Sequence, residues 1–163
     1  DDFLRSVQGR ALTTARLAVP DEDALDCVQA AMLAFVRKYP RRPAEEWRPL
    51  FFRILYNQLR DWHRRRAVRE AVTWVRGAEE RIAAPEPEPD RWLAADQAGR
   101  RLLSELARLP LRQQQAFILR HWEGMDTAAA AAAMGVHGGS VKTHLSRAVR
   151  RLRQALETYH EPT

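Results

Sequence analysis

Residues 124–147 read GMDTAAAAAAMGVHGGSVKTHLSR, six alanines followed by a glycine-punctuated basic stretch. Asp126 and Thr127 are good helix N-caps and alanine has the highest intrinsic helix propensity, so a short helix is predicted over Thr127–Met134. Gly135 ends it, because glycine enters the left-handed conformation a sharp turn requires. Gly138, Gly139 and Ser140 open a second helix, with Ser140 as its expected cap. Val141, Leu145, Ala148 or Val149, Leu152 and Leu156 form the apolar stripe of that helix. Its other faces carry Lys142, Thr143, His144, Ser146, Arg147, Arg150, Arg151 and Arg153; from Gly138 to Gln154 there are five Lys or Arg and no acid.

A short helix, a glycine turn and a basic amphipathic helix make the helix-turn-helix pattern. Alanines in the first helix let two backbones approach closely where they cross. Ser140, Thr143, His144 and Arg147 stand at i, i+3, i+4 and i+7, one helix face, which is expected to offer them together to base edges and phosphates of a major groove. Lys142, Arg150 and Arg151 add cations beside them. The plainer reading of this stretch alone is a solvated charged face on an alanine-rich bundle helix.

The rest of the chain bounds the choice. Its 163 residues suffice for one ordinary domain or two small ones with thin cores. With 45% hydrophobic residues it is not a disordered polypeptide, and a net charge of +6 suits a polyanionic partner, leaving acidic lipid and acidic protein open as alternatives. Cys27 is the only cysteine, which excludes an intrachain disulfide and fits a reducing compartment. His63, His121, His137, His144 and His160 show no metal spacing, so neither a metal nor another cofactor is expected. No apolar run approaches the ~18 residues of a membrane span, so no membrane insertion is expected. The N-terminus lacks a signal peptide and an initiator Met, so the start is expected to have been trimmed and the cytoplasm is the expected compartment. No nucleophile–base set or catalytic carboxylate pair stands out, so an enzyme is not expected.

Charge divides the chain in three. Gly77–Asp96 holds six acidic residues and two arginines, and within it APEPEPD alternates Pro85, Pro87 and Pro89 with Glu86 and Glu88. Proline withholds amide donors and disfavours helix at the preceding residue, so this stretch reads as an extended, solvated linker. Before it, Leu25, Val28, Met32, Phe35 or Val36 and Tyr39 form one helical stripe, with Asp21–Asp23 as caps and first-turn acids. YPRRPAEEWRP interrupts with three prolines. A second helix follows with Leu50, Phe51, Ile54, Leu55, Leu59 and Trp62 on its apolar side, Pro49 in its first turn and the basic DWHRRRAVR at its far end. Residues 3–18 suggest a weaker amphipathic helix. After the linker, Trp92, Leu102, Leu103, Leu106 and Leu109 suggest a helix ending at Pro110, and Ala116, Phe117, Leu119 and Trp122 supply apolar surface up to Gly124. No stretch alternates as a strand would. The fold class is all-α, two small helical domains joined by an acidic, Pro-rich linker.

Two separated stretches together resemble the sigma-70 family of bacterial RNA polymerase sigma factors, in its small extracytoplasmic-function (group IV) form. LARLPLRQQQAFILRHWEGMDTAAAAAAMGVHGGSVKTHLSRAVRRLR is similar to the family's region 4. DALDCVQAAMLAFVRKY and LFFRILYNQLRDWHRRR are similar to region 2, through Asp26 and Gln29, then Ile54, Asn57 and Asp61. Departures are specific: Ala129 and Ala130 stand where the family has Glu and Ile, Leu50 where it has Trp (with Trp47 one turn earlier), and Ala30 where an acid is common. The resemblance implies region 2 over 1–70, a linker over 71–98 and region 4 over 99–163. It implies a non-catalytic subunit that binds core RNA polymerase and directs it to promoters. Asp26, Gln29 and Leu33 would dock on the clamp helices of the largest subunit, and region 4 would touch the flap. Arg53, Asn57, Arg60, Trp62, Arg64, Arg65 and Arg66 would meet promoter DNA at the −10 element, although Phe51 and Trp62 suit the core as well as a base. Ser140, Lys142, Thr143, His144, Arg147, Arg150 and Arg151 would read the −35 element. The resemblance also implies an anti-sigma factor as partner, and a linker that threads toward the polymerase's active channel. The competing readings are a helix-turn-helix regulator that binds operator DNA without being a polymerase subunit, and an RNA-binding helical protein, for which no RNA-module signature is present.

Overall fold

A computed structural model describes residues 2–39, 41–75 and 96–158. Seven α-helices account for nearly all of them: α1 (Asp2–Ala18), α2 (Asp21–Lys38), α3 (Ala44–Val75), α4 (Gln97–Arg108), α5 (Leu111–Phe117), α6 (Thr127–Met134) and α7 (Gly138–Glu157). No strand occurs among the described residues, as the missing alternation anticipated. The expected linker motif APEPEPD and Trp92 lie outside the described residues.

The first half is a three-helix unit. α2 begins with Asp21, Glu22 and Asp23 in its first turn and ends with Arg37 and Lys38, so charge opposes the macrodipole at both ends. Its buried stripe is Ala24, Cys27, Val28, Ala31 and Phe35. That corrects the expected stripe at Leu25, which is 45% exposed, and selects Phe35 over Val36, which is 53% exposed. Small residues at 24, 27 and 31 allow close approach of α1 and α3, and this rotates the helix so that two larger residues face solvent. α3 starts directly after Pro43, earlier than the proline-rich stretch suggested, and Pro49 sits inside it, where one backbone hydrogen bond is forgone. Phe51, Phe52, Leu55 and Leu59 are fully buried. Phe3, Phe35, Trp47 and Phe51 meet edge-on or tilted, with centroids 5.4–6.3 Å apart.

The second half stacks α4, α5, α6 and α7. Asp96 caps α4 by accepting from the Gly99 amide at 2.7 Å. α5 runs on through a π-helical turn, Ile118–Trp122, and the chain reverses at Gly124 with φ 63°.

The halves are not separate cores. One continuous buried cluster joins Val7, Phe51, Phe52 and Tyr56 to Leu119, Met125, Ala130, Ala133 and Met134, and a second joins Leu17 of α1 to Leu106, Ile118 and Leu152. α6 packs on α3 as well as on α7, and α4 packs on α1. Polar groups cross the same seam. The buried Glu123 carboxylate accepts from Arg48 at 3.2 Å and lies 3.7 Å from Arg10. Gln114, also buried, donates to the Leu17 carbonyl at 3.2 Å and to the Leu106 carbonyl at 3.0 Å.

Candidate nucleic-acid interface

The alanine helix and its glycine stop form as expected. Asp126 caps α6, its Oδ1 accepting from the Ala129 amide at 2.7 Å. Gly135 adopts φ 66° and ψ 37°. The Gly135 amide donates to Ala132 O at 3.3 Å and the Val136 amide to Ala131 O at 3.1 Å, the paired bonds of a Schellman turn. Arg112 of α5 adds a third element by donating to Met134 O at 2.6 Å and Gln115 Oε1 at 3.3 Å. Its cation sits at the negative end of α6, where the macrodipole favours it. Burial and then the neighbouring Arg60 charge pull the Arg112 pKa down.

Ser140 does not cap α7. That helix starts at Gly138 with His137 as N-cap, and the amides of Ser140 and Val141 donate to His137 O at 3.0 and 3.2 Å. Glycine at 138 fits the first helical position, so the chain enters α7 before reaching the hydroxyl. Val141, Ala148 and Leu152 are buried, whereas Lys142, Thr143, Arg147, Arg150 and Arg151 are exposed on one side of the helix. Ser140 and His144 are half-buried. Burial, then the charges of Arg112 and Arg147, lower the His144 pKa, so it presents a neutral ring at neutral pH. Thr143 Oγ1 donates to Gly139 O at 3.1 Å, which leaves its methyl and oxygen lone pairs for a partner.

The expected sites of the first half fall into two groups. On α2, Asp26, Gln29 and Leu33 are exposed. Leu25, which periodicity had assigned to the core, and Val36, offered there as the alternative to Phe35, share their face, so a strip of exposed apolar and polar side chains runs along the helix. On α3, Arg53, Asn57, Arg64 and Arg65 are exposed, while Arg60 and Arg66 are half-buried. The Asn57 carbonyl oxygen accepts from Arg60. Arg66 bonds Glu70 at 3.0 Å and lies 5.5 Å above the Trp62 ring. Trp62 is only 8% exposed, which matches its suitability for the core. Arg64 and Arg65, with Arg69 and the Trp62 edge, line a groove of about 790 Å³ against Asp23 and Asp26 of α2.

Two residues with structural leverage escaped the sequence reading, Arg112 and Glu123. Arg112 follows Pro110 in a polar run with no periodicity to mark it. Glu123 looks like an ordinary acid before a glycine, yet its side chain is 1% exposed. Burial holds its carboxyl above the ordinary range, against the opposing pull of Arg48 and Arg10. Among the described residues no cluster of His, Cys, Asp or Glu is placed to hold a metal, and no helix is long and apolar enough to cross a membrane.

Residues 99–152 match the family model for Sigma-70, region 4. The RNA polymerase sigma-E factor of Streptomyces coelicolor is 34% identical over 161 residues, covering 96% of this chain and 85% of that protein. The RNA polymerase sigma factor CnrH of Cupriavidus metallidurans is 31% identical over 155 residues, covering 88% of this chain and 78% of its own. The sigma factor RpoE of Bartonella quintana, solved in complex with the anti-sigma factor NepR, superposes with a TM-score of 0.67 at 26% identity, over 96% of this chain and 97% of that one. Similarity of this extent favours a polymerase subunit over a free operator-binding regulator, and the chain belongs to the sigma-70 family of RNA polymerase sigma factors, in its small extracytoplasmic-function form.

Proposed function

We propose that this sigma factor divides promoter reading between its halves. Ser140, Lys142, Thr143, His144, Arg147, Arg150 and Arg151 of α7 read the −35 element, Arg53, Asn57, Arg60, Trp62 and Arg64–Arg66 of α3 serve the −10 element, and the Asp26–Gln29–Leu33 face of α2 docks on core polymerase. The region 2, linker and region 4 boundaries at 1–70, 71–98 and 99–163 belong to the same proposal, although α3 continues past residue 70 to Val75. The observation that carries the reading is the Schellman turn between α6 and α7, which fixes α7 with its cations outward and its apolar stripe inward. Lys and Arg there supply phosphate contacts, and Thr143 and a neutral His144 supply shorter-range contacts to base edges. The exposed Leu25, Leu33 and Val36 add apolar contact to the docking face of α2. An anti-sigma factor is the expected negative partner, by analogy with the Bartonella complex. The protein works without catalysis of its own, in the cytoplasm with the polymerase. Run-off transcription with purified core polymerase and a promoter library tests this. The expected result is sigma-dependent initiation from promoters that share two spaced elements, and footprinting of duplex DNA by the chain without polymerase, with no run-off product, overturns it.

A further inference from the structure

The C-terminus of α6 leaves carbonyls that its own helix cannot satisfy. The Schellman turn takes Ala131 O and Ala132 O, and Met134 O is left to the Arg112 guanidinium, which reaches it from α5 at 2.6 Å. Gln115, one turn along α5 and fully buried, accepts from the same Nη1 at 3.3 Å, so the guanidinium is held from its own helix as well. Arg112 thus stands at the joint between α6 and α7, on which the direction of α7 depends. It also acts on the polar side of α7, because its charge and that of Arg147 both bear on the half-buried His144. α6 contributes no ionisable side chain, and α4 shares its buried cluster with α7 at Leu152, about two turns beyond His144. From α3, Arg60 adds a further cation on the Arg112 side. The His144 ring therefore lies among cations, and a charge on it is disfavoured.

We propose that Arg112 is a specificity-determining residue behind α7: bonded to the end of α6, it sets how α7 meets the groove and which donor–acceptor pattern His144 offers to a base edge. The proposal rests on −35 recognition by α7. Arg112 is a positioning residue, since it acts through α6 and His144 rather than by touching a base. A neutral imidazole offers one donor and one acceptor, whereas a protonated one offers two donors and no acceptor. The acceptor suits the amino groups of adenine and cytosine, and two donors suit N7 and O6 of guanine. Arg112 keeps its charge throughout the range in which histidine titrates, so it holds His144 in the form that retains an acceptor. A neutral side chain at 112 removes that restraint and takes the charged donor away from Met134 O, whereas Lys keeps the charge.

Holoenzyme assembled from core polymerase and the full chain tests this on a promoter library randomised in the −35 element, from about pH 5.5 to 8, where histidine titrates. His144→Gln locates the base that His144 faces, as the position whose selection it alters. At that base the parent should favour adenine or cytosine at neutral pH and turn to guanine only in acid. Arg112→Gln should move this crossover to higher pH and, between the two crossovers, shift the preference toward guanine at least about fivefold, the low end of what one good base contact discriminates. Arg112→Met, which keeps the aliphatic stem, is a second neutral variant and should behave alike, while Arg112→Lys should restore the parent crossover. In NMR of the full chain, the His144 ring signals, assigned by their loss in His144→Gln, should titrate at higher pH in the neutral variants than in the parent. Neutral variants that weaken all promoters alike, with the His144 titration and the crossover unmoved, overturn the proposal and leave Arg112 a merely structural residue. A crossover that does not follow the His144 titration overturns it as well. A parent holoenzyme that selects no −35 sequence sinks recognition by α7, whereas selection identical in the parent and both neutral variants sinks only the role of Arg112.

Discussion

Gly135→Ala and Gly139→Ala insert the same methyl group four residues apart, and the structure assigns them opposite signs. Gly135 has φ 66°, and a Cβ there meets only Arg53 Nη2 at 3.9 Å, an ordinary contact. The change therefore carries no steric clash, only the left-handed backbone of a non-glycine residue, which costs ~1–2 kcal/mol. Reduced freedom of the unfolded chain offsets ~0.4–1 kcal/mol of this. The net is about 1 kcal/mol of destabilisation. Gly139 lies within the first turn of α7 with nothing within 4 Å of its Cβ. There the unfolded-state term acts alone, and Ala should stabilise by ~0.5–1 kcal/mol. Urea unfolding followed by circular dichroism and tryptophan fluorescence measures both, with equal m-values as the check that only stability changed. The variants should bracket the parent midpoint. A Gly135→Ala protein as stable as the parent, at unchanged m, would falsify the claim that the α6–α7 turn depends on a left-handed residue.

Asp126→Ala removes the cap on the alanine helix and should cost about 1 kcal/mol in the same experiment, while Asp126→Asn should cost a few tenths. Leu119, fully buried in the core shared by both halves, should cost ~2–5 kcal/mol when changed to Ala, measured in the same experiment, and a loss below about 1 kcal/mol would argue against its place in that core. Glu123 gives a pH signature. Its folded-state pKa is raised above the ordinary 4.5, so its contribution is fully present below that value and is lost as pH rises through the raised one. The stability of the parent relative to Glu123→Gln should therefore decline as pH rises from about 4.5, and a relative gain over that interval would mean that Arg10 and Arg48 outweigh burial. Arg147→Ala should weaken binding to −35-containing DNA at all sequences alike and reduce the salt slope by about one, if Arg147 contacts phosphate; sequence-selective loss would make it a base reader instead.

Local features were legible in the sequence because their causes are local. The Asp126 cap, the Gly135 stop and the Val141–Ala148–Leu152 stripe each follow from propensity, capping or periodicity within a few residues. Five of the expected site residues of α7, Lys142, Thr143, Arg147, Arg150 and Arg151, are exposed for the same reason, while Ser140 and His144 are half-buried. Periodicity failed where several apolar assignments competed. On α2 it placed Leu25 inside and left Phe35 or Val36 open, but packing selected Phe35 and the smaller Ala24, Cys27 and Ala31, because adjacent helices approach most closely where side chains are short. Ser140 lost its capping role through two glycines that start α7 earlier. Trp62 had suited both the core and a base, and α3 turns it largely inward beneath Arg66.

Sequence alone determined an all-α chain with a helix-turn-helix, a basic second helix and an acidic stretch between two helical halves, since each depends on neighbours in the chain. Only the tertiary structure decided that the halves share a core, that Glu123 is enclosed between Arg10 and Arg48, and that α6 faces α3 as well as α7. The six alanines explain the difference. Their propensity names a helix, but a helix of identical small side chains has no face of its own, so its partners are set by what packs against it: the reading helix on one side and the aromatic face of α3 on the other.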